Sequence, residues 1–152
     1  SAELNTTYVA FGVRGTAGPA EQAKADRDAR AASPEAGAER AAAKATGLYR
    51  KDDWDLVDAL DAGKVKLEDL KPEDLPQQLR GLPPADQKAY LAKKAGERKD
   101  LQTEISKLSR QRAEHLEAQR KSAASSNQSA FDAEVLKTLE AQASRIGIRF
   151  QR

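Results

Sequence analysis

Apolar positions along the chain recur at helical spacing in several blocks, separated by proline, glycine and polar runs. The longest uninterrupted helical pattern runs from Pro84 to Lys121. Pro84 suits a first turn, where its missing N–H costs nothing, and Gly96 is the only glycine from there to Ser125. Such a helix would reach about 57 Å at roughly 1.5 Å per residue. It is longer than a small core, so the rest of the chain must fold along it or leave it projecting. Leu101, Ile105 and Leu108 give the 4–3 spacing of an antiparallel helix pair. Arg98 and Arg112 flank that seam, with Ala95 and His115 at the next positions, so only about two heptads are clean. Ser122–Ala130 reads as a polar turn, and Ser129 followed by Asp132 resembles a capping-box start. A last helix over residues 131–146 would then present Phe131, Val135, Leu136, Leu139, Ala143 and Ile146 to the Leu108–Leu116 region. The pattern predicts a helical hairpin with unequal arms.

Upstream of the spine the pattern is more broken. Thr6–Phe11 is β-branched and aromatic and predicts a short strand, ended by Gly12, Gly15 and Gly18. Its partner is either Ile148–Phe150 or a sheet upstream of Ser1. Helices are expected from Pro19 to Ala32 and from Pro34 to Thr46, with Ser33 as N-cap, Pro34 in the first turn and Gly47 as the stop. Both are dominated by alanine, which favours helix but buries little area. They must lie close against a neighbour, and Gly96 either permits that approach or is a tolerated glycine. Asp52 or Asp53 should cap a short helix, Trp54–Ala62, that stops at Gly63. Next comes a strap of leucines (Leu67, Leu70, Leu75, Leu79, Leu82) punctuated by Pro72, Pro76, Pro83 and Pro84. Prolines at that density forbid a long helix, so the strap should wrap the spine in short turns. The fold class expected is all-α: an elongated helical hairpin on one long helix, with short helices and a Leu/Pro strap along it and short strand-like termini. The expected organisation is a strand-like exit and Gly-rich linker over 1–18 and a helical domain over 19–152. That domain comprises Ala-rich helices at 19–47, an acidic strap at 52–83, the long helix at 84–121 and the C-terminal helix at 131–146.

Composition thins the expected core. Charged residues are 33% and aromatics 5% of the 152 residues, which suits long amphipathic helices with solvated outer faces. A net charge of +2 gives no bulk argument for a nucleic-acid partner. Charge is uneven, however. Residues 52–75 hold nine acidic groups against three lysines, and 84–121 holds ten Lys/Arg against six Asp/Glu. An internal pairing of acidic strap and basic spine is favoured over two exposed patches. Absence of cysteine excludes disulfides and thiolate metal sites. No apolar run approaches the roughly 18 residues of a membrane span. The chain begins at Ser1 rather than Met, which predicts a processed or excised fragment.

Candidate chemistry is sparse. His115 is the single histidine, and no His-x-x-x-His pair exists. In Asp52-Asp53-Trp54-Asp55-Leu56-Val57-Asp58 the carboxylates do not follow calcium-loop spacing; a solvated helix start is the better reading. Gly12-Val13-Arg14-Gly15 with Gly18 matches neither phosphate-loop pattern. The spine cations Lys93, Lys94, Arg98, Lys99, Arg110, Arg112, Arg120 and Lys121 alternate with acids and lack an aromatic ladder. The residues therefore predict a non-enzyme with no catalytic, cofactor-binding or metal-binding residue.

The opening Glu3-Leu4-Asn5-Thr6-Thr7-Tyr8-Val9-Ala10-Phe11-Gly12 resembles the exit from a von Willebrand factor A (VWA) domain in bacterial VWA domain-containing proteins, where a charged helical tail follows. Similar pieces are Leu48-Tyr49-Arg50, Trp54–Ala59, Asp74-Leu75-Pro76, Arg80-Gly81-Leu82, Lys88–Leu91 and 143–150. Gln77 and Gln78 stand where that pattern is often acidic. The resemblance implies a C-terminal helical region that acts as a protein-interaction or scaffold module in an extracytoplasmic (periplasmic or secreted) protein. VWA domains hold a divalent cation, usually magnesium, through an Asp-x-Ser-x-Ser site; that motif is absent here, so any such ion would belong to the upstream domain. A protein partner is expected, with no nucleic acid and no membrane span. The alternatives are an autonomous coiled-coil oligomer and, more distantly, a nucleic-acid binder using the basic helix.

Overall fold

The computed structural model describes residues 1–145 and is all-α, with a long helix packed against shorter ones. Helices α1 (Ala2–Asn5), α2 (Ala17–Ala32), α3 (Pro34–Lys44), α4 (Leu56–Asp61) and α5 (Pro84–Arg145) are joined by loops and one 3-10 turn, Leu67–Asp69. Residues group into two compact units, Ser1–Ser109 and the part from Arg110 onward, and α5 contributes to both.

In the first unit, α2 and α3 form the closest helix pair. Ser33 adopts extended backbone between them, and its hydroxyl accepts from the Ala36 N–H at 3.0 Å, with Pro34 in the first turn. The core cluster joins Val9, Leu56 of α4, the strap leucines Leu67, Leu75 and Leu79, and Leu91 of α5. The strap therefore wraps the spine through its leucines, while its prolines hold it to isolated turns. Gly63 closes α4 with φ at 65°, a left-handed conformation open to glycine.

Four expectations need correction. Thr6–Phe11 is not a strand: its first residues follow α1, and only one antiparallel bridge forms, Ala10 with Asp55. Leu56 N donates to Val9 O at 2.8 Å and Phe11 N to Trp54 O at 2.9 Å. The ladder stops there because the partner chain turns into α4 directly after Asp55. Residues 1–18 are no linker either, since Leu4, Thr7 and Val9 are buried in this unit. The cap of α4 is Asp55, whose carboxylate accepts from Asp58 N at 3.0 Å, rather than Asp52 or Asp53.

The fourth correction is the hairpin. Residues 122–130 form no turn; α5 continues through them to Arg145. The run contains no glycine or proline, and its alanines favour helix. Its polar side chains bond along the helix: Ser129 Oγ donates to Ser125 O at 3.0 Å and Gln128 Nε2 to Asp132 Oδ1 at 2.8 Å. Ser129 thus back-bonds to the preceding turn instead of capping a new helix. The expected strand at Ile148–Phe150 lies outside the described residues.

Candidate interaction surfaces

The first unit is held by two buried ionic clusters. Arg98 of α5, 5% exposed, sits one turn-pair from Leu91 on the inward face of the helix. Its Nη1 donates to Asp55 Oδ2 at 2.7 Å and Asp58 Oδ1 at 2.8 Å; Nε and Nη2 donate to Thr7 Oγ1 and Thr7 O at 3.1 and 2.8 Å. The guanidinium also lies 4.2 Å from the Tyr8 ring centroid. Asp55 further accepts from Val9 N at 2.6 Å. One side chain so ties α5 to α4 and to the N-terminal segment. Burial pushes the Asp58 carboxyl above its usual range, against the pull of the Lys51 N–H and Arg98. Burial alone would lower the Arg98 guanidinium, yet the bond to Asp55 and the nearby carboxylates hold it above its ordinary value.

The second cluster joins α1, α2 and α3. Asp26, nearly inaccessible, accepts from Lys44 Nζ at 2.7 Å, Arg40 Nε at 2.6 Å and Asn5 Nδ2 at 2.8 Å. Lys44 is fully buried and also donates to Asn5 Oδ1 at 2.5 Å. Burial works against the Asp26 carboxylate, but the three donors outweigh it and its pKa falls below the ordinary value. Two cations share that one carboxylate, and an arginine keeps its proton, so burial pulls the Lys44 ammonium downward. No buried side-chain N or O among the described residues lacks a partner.

Beside the Arg98 cluster lies an open groove of about 520 Å³, floored by Val57 and Leu60 of α4 and Leu91, Ala92 and Ala95 of α5. Its rim carries the Arg50–Asp61 ion pair and Lys99. A Cβ at Gly96 would meet nothing within 4 Å, so this glycine admits no close helix. The close approach occurs at Gly18 instead. A Cβ there would overlap Trp54 Cγ, and the glycine lets α2 rest on the indole.

The second unit presents a different surface. Phe131, Val135 and Leu139 recur at four-residue spacing on α5 with Leu136 beside them, and all four are exposed, Phe131 at 65% and Leu136 at 61%. In the first unit Leu108 is likewise exposed. Four large apolar side chains in nine residues form a contiguous row, whereas single exposed leucines are ordinary.

The sequence's chemical candidates disperse. The carboxylates of 52–61 each meet a cation: Asp52 meets Lys64 at 3.0 Å, Asp53 meets Arg14, Asp55 and Asp58 meet Arg98, and Asp61 meets Arg50. Among the described residues no group of three or more His, Asp or Glu is placed to hold a metal. His115 is exposed. The amides of the Gly12–Gly18 loop are engaged, Gly12 N with Asp74 O at 3.1 Å and Gly15 N with Gly12 O at 3.0 Å. Basic residues of α5 pair along the helix, as Lys94 with Glu97 at 2.8 Å and Arg110 with Glu114 at 3.7 Å. The internal match of acidic strap and basic spine contracts to Arg98. Comparison of the chain with protein families, with characterised sequences and with solved structures returns no match. No described helix is long and apolar enough to cross a membrane.

Proposed function

We propose that the chain is a non-enzymatic protein-interaction module, the C-terminal helical part of an extracytoplasmic VWA domain-containing protein. The observation that carries the interaction reading is the exposed row Phe131, Val135, Leu136 and Leu139 on α5. The favoured occupant is the apolar face of a partner protein's helix, because a helix laid along i, i+4 anchors buries such a row. Pieces from Glu3–Gly12 to Lys88–Leu91 support the VWA context by resemblance. Leu136→Ser with Leu139→Ser removes apolar area from exposed positions and leaves the first unit intact. In native extracts of the source cell, the wild-type chain should run in a complex larger than itself and the double variant as the free chain. Equal migration of both at the size of the free chain contradicts the reading. The coding sequence next to Ser1 tests the context: a VWA domain there supports it, and its absence removes it.

A second reading follows from the same row, namely self-association through α5. It predicts a mass by light scattering that rises with concentration. A strict monomer at high concentration removes it.

A further inference from the structure

The groove beside the Arg98 cluster does not end at Leu60 and Leu91. A second cavity, of about 300 Å³, shares both residues and runs on past Val65, Leu67 and Lys88. Together they form one trough in the first unit. On α5 it spans Lys88 to Gln102, about 21 Å at roughly 1.5 Å per residue.

The α5 wall has the spacing of a helix–helix seam. Lys88, Ala92, Ala95, Lys99 and Gln102 line the trough and follow one another at intervals of four, three, four and three. The first four are exposed, so no described element of the first unit covers that seam. Its two alanines leave room at the centre for the backbone of another helix. Across from them Val57, Leu60 and Val65, each partly buried, supply an apolar strip. The shape selects among occupants. The main walls are α4 and α5, whose amides bond within their helices, so an extended peptide finds no strand edge to pair with; a helix satisfies its own amides. The trough is open along its length and covers one face of what it holds. An acyl chain is apolar all round and would leave much of its surface in water. An amphipathic helix buries its apolar face and keeps the other wet.

Charge selects further. Two carboxylates of the trough are already matched, Asp58 by Arg98 at 2.8 Å and Asp61 by Arg50. Lys66, Lys88 and Lys99 also line it and have no ion-pair partner among the described residues, against one carboxylate in the same state, Glu68. Lysine stems cover apolar surface and carry the ammonium to the rim. The unmatched charge along the trough is therefore mainly positive, on both walls. We infer that this trough docks an acidic amphipathic helix of about 14 residues from a partner protein. The apolar face of that helix lies on Val57, Leu60, Leu91 and the two alanines, and its flanking carboxylates meet Lys66, Lys88 and Lys99. The surface is distinct from the exposed row of the second unit, and neither depends on the other.

The test titrates the full chain into a labelled, blocked helical peptide and follows its fluorescence anisotropy. The peptide carries leucine at i, i+3, i+4 and i+7, glutamate at the flanking positions and alanine elsewhere. Saturable binding is expected, weakening as salt rises from about 50 to 500 mM. The same peptide with lysine for glutamate should bind at least about tenfold more weakly. Lys88→Glu with Lys99→Glu changes exposed positions and keeps helix propensity; it should weaken the acidic peptide about tenfold or more and reverse the preference between the two peptides. Ala92→Gln with Ala95→Gln fills the seam without changing charge and should also abolish binding. Far-UV circular dichroism and Trp54 emission confirm that each variant folds. Arg120→Glu with Lys121→Glu makes the same charge change outside the trough and should leave affinity within about twofold. No binding at millimolar acidic peptide overturns the proposal. So do equal affinities for the acidic and basic peptides, or binding that neither trough variant weakens. Saturation by sodium laurate but not by peptide assigns the trough to an acyl chain and overturns it too. Self-association of the wild-type chain that Ala92→Gln with Ala95→Gln abolishes would place a second copy there, with the same consequence.

Discussion

Arg98 ties α5 to α4 and to the N-terminal segment of the first unit. Arg98→Met keeps much of the stem's volume but leaves Asp55 and Asp58 without their buried cation. Breaking a buried pair from one side costs about 3–5 kcal/mol, and chemical denaturation monitored by Trp54 emission should show a loss of that size. A loss under about 1 kcal/mol would mean the cluster contributes no more than a surface ion pair. Asp26 gives the pH counterpart. Its folded pKa lies below the 3.8 of the free group. Its contribution is thus fully present above that value and is lost as pH falls through the folded pKa. Asp58 has the opposite sign: its raised pKa means that protonation on acidification favours the folded form. Asp26→Asn should accordingly destabilise the protein at pH 7, where Lys44 and Arg40 lose their shared anion, and the difference from wild type should shrink as pH falls below 3.8. A difference that stays constant across pH 2–7 would contradict the assignment. Gly18→Ala should cost about 1–3 kcal/mol by overpacking against the indole, with a shifted Trp54 emission maximum as its signature.

At the scale of elements, helix continuity over 122–130 has a direct check. Ser126→Pro removes one backbone donor and clashes with the preceding turn. It should lower helical ellipticity while leaving Trp54 emission unchanged; a variant with wild-type ellipticity would indicate that this stretch is not helical. The elements written in local signals were legible. Ser33-Pro34, Gly63 and the strap prolines marked helix starts and stops, because each acts through its own backbone geometry. The run 122–130 was misread because serine and asparagine favour turns in isolation. No glycine or proline enforces one there, and serine hydroxyls can bond back to the helix. The strand reading of Thr6–Phe11 failed for a nonlocal reason: β-branched residues announce extended backbone, but pairing needs a partner, and Asp55 starts a helix after one bridge. The ionic clusters were the least legible. Arg98 lies seven residues from Leu91 and from Ile105, so a cation within the apolar stripe was visible. Its carboxylate partners lie 40 and 43 residues away, and no local pattern points to them. Lys44 and Asp26 carried no signal beyond their helices, since their burial follows from how closely alanine-rich α2 and α3 pack.

At the scale of the whole molecule, the chain combines a small core fixed by two ionic clusters with exposed apolar side chains on α5. The first unit is internally satisfied, and the row from Phe131 to Leu139 is not covered within its own unit. That contrast supports a chain that folds in one part and binds with another. A photo-crosslinking residue placed in turn at Val135, Leu139 and Lys137, in the full chain within its source cell, tests this most directly. The account predicts protein adducts from positions 135 and 139 and none from 137, because Lys137 lies off the row. Absence of adducts from 135 and 139, or equal adducts from all three positions, would contradict it.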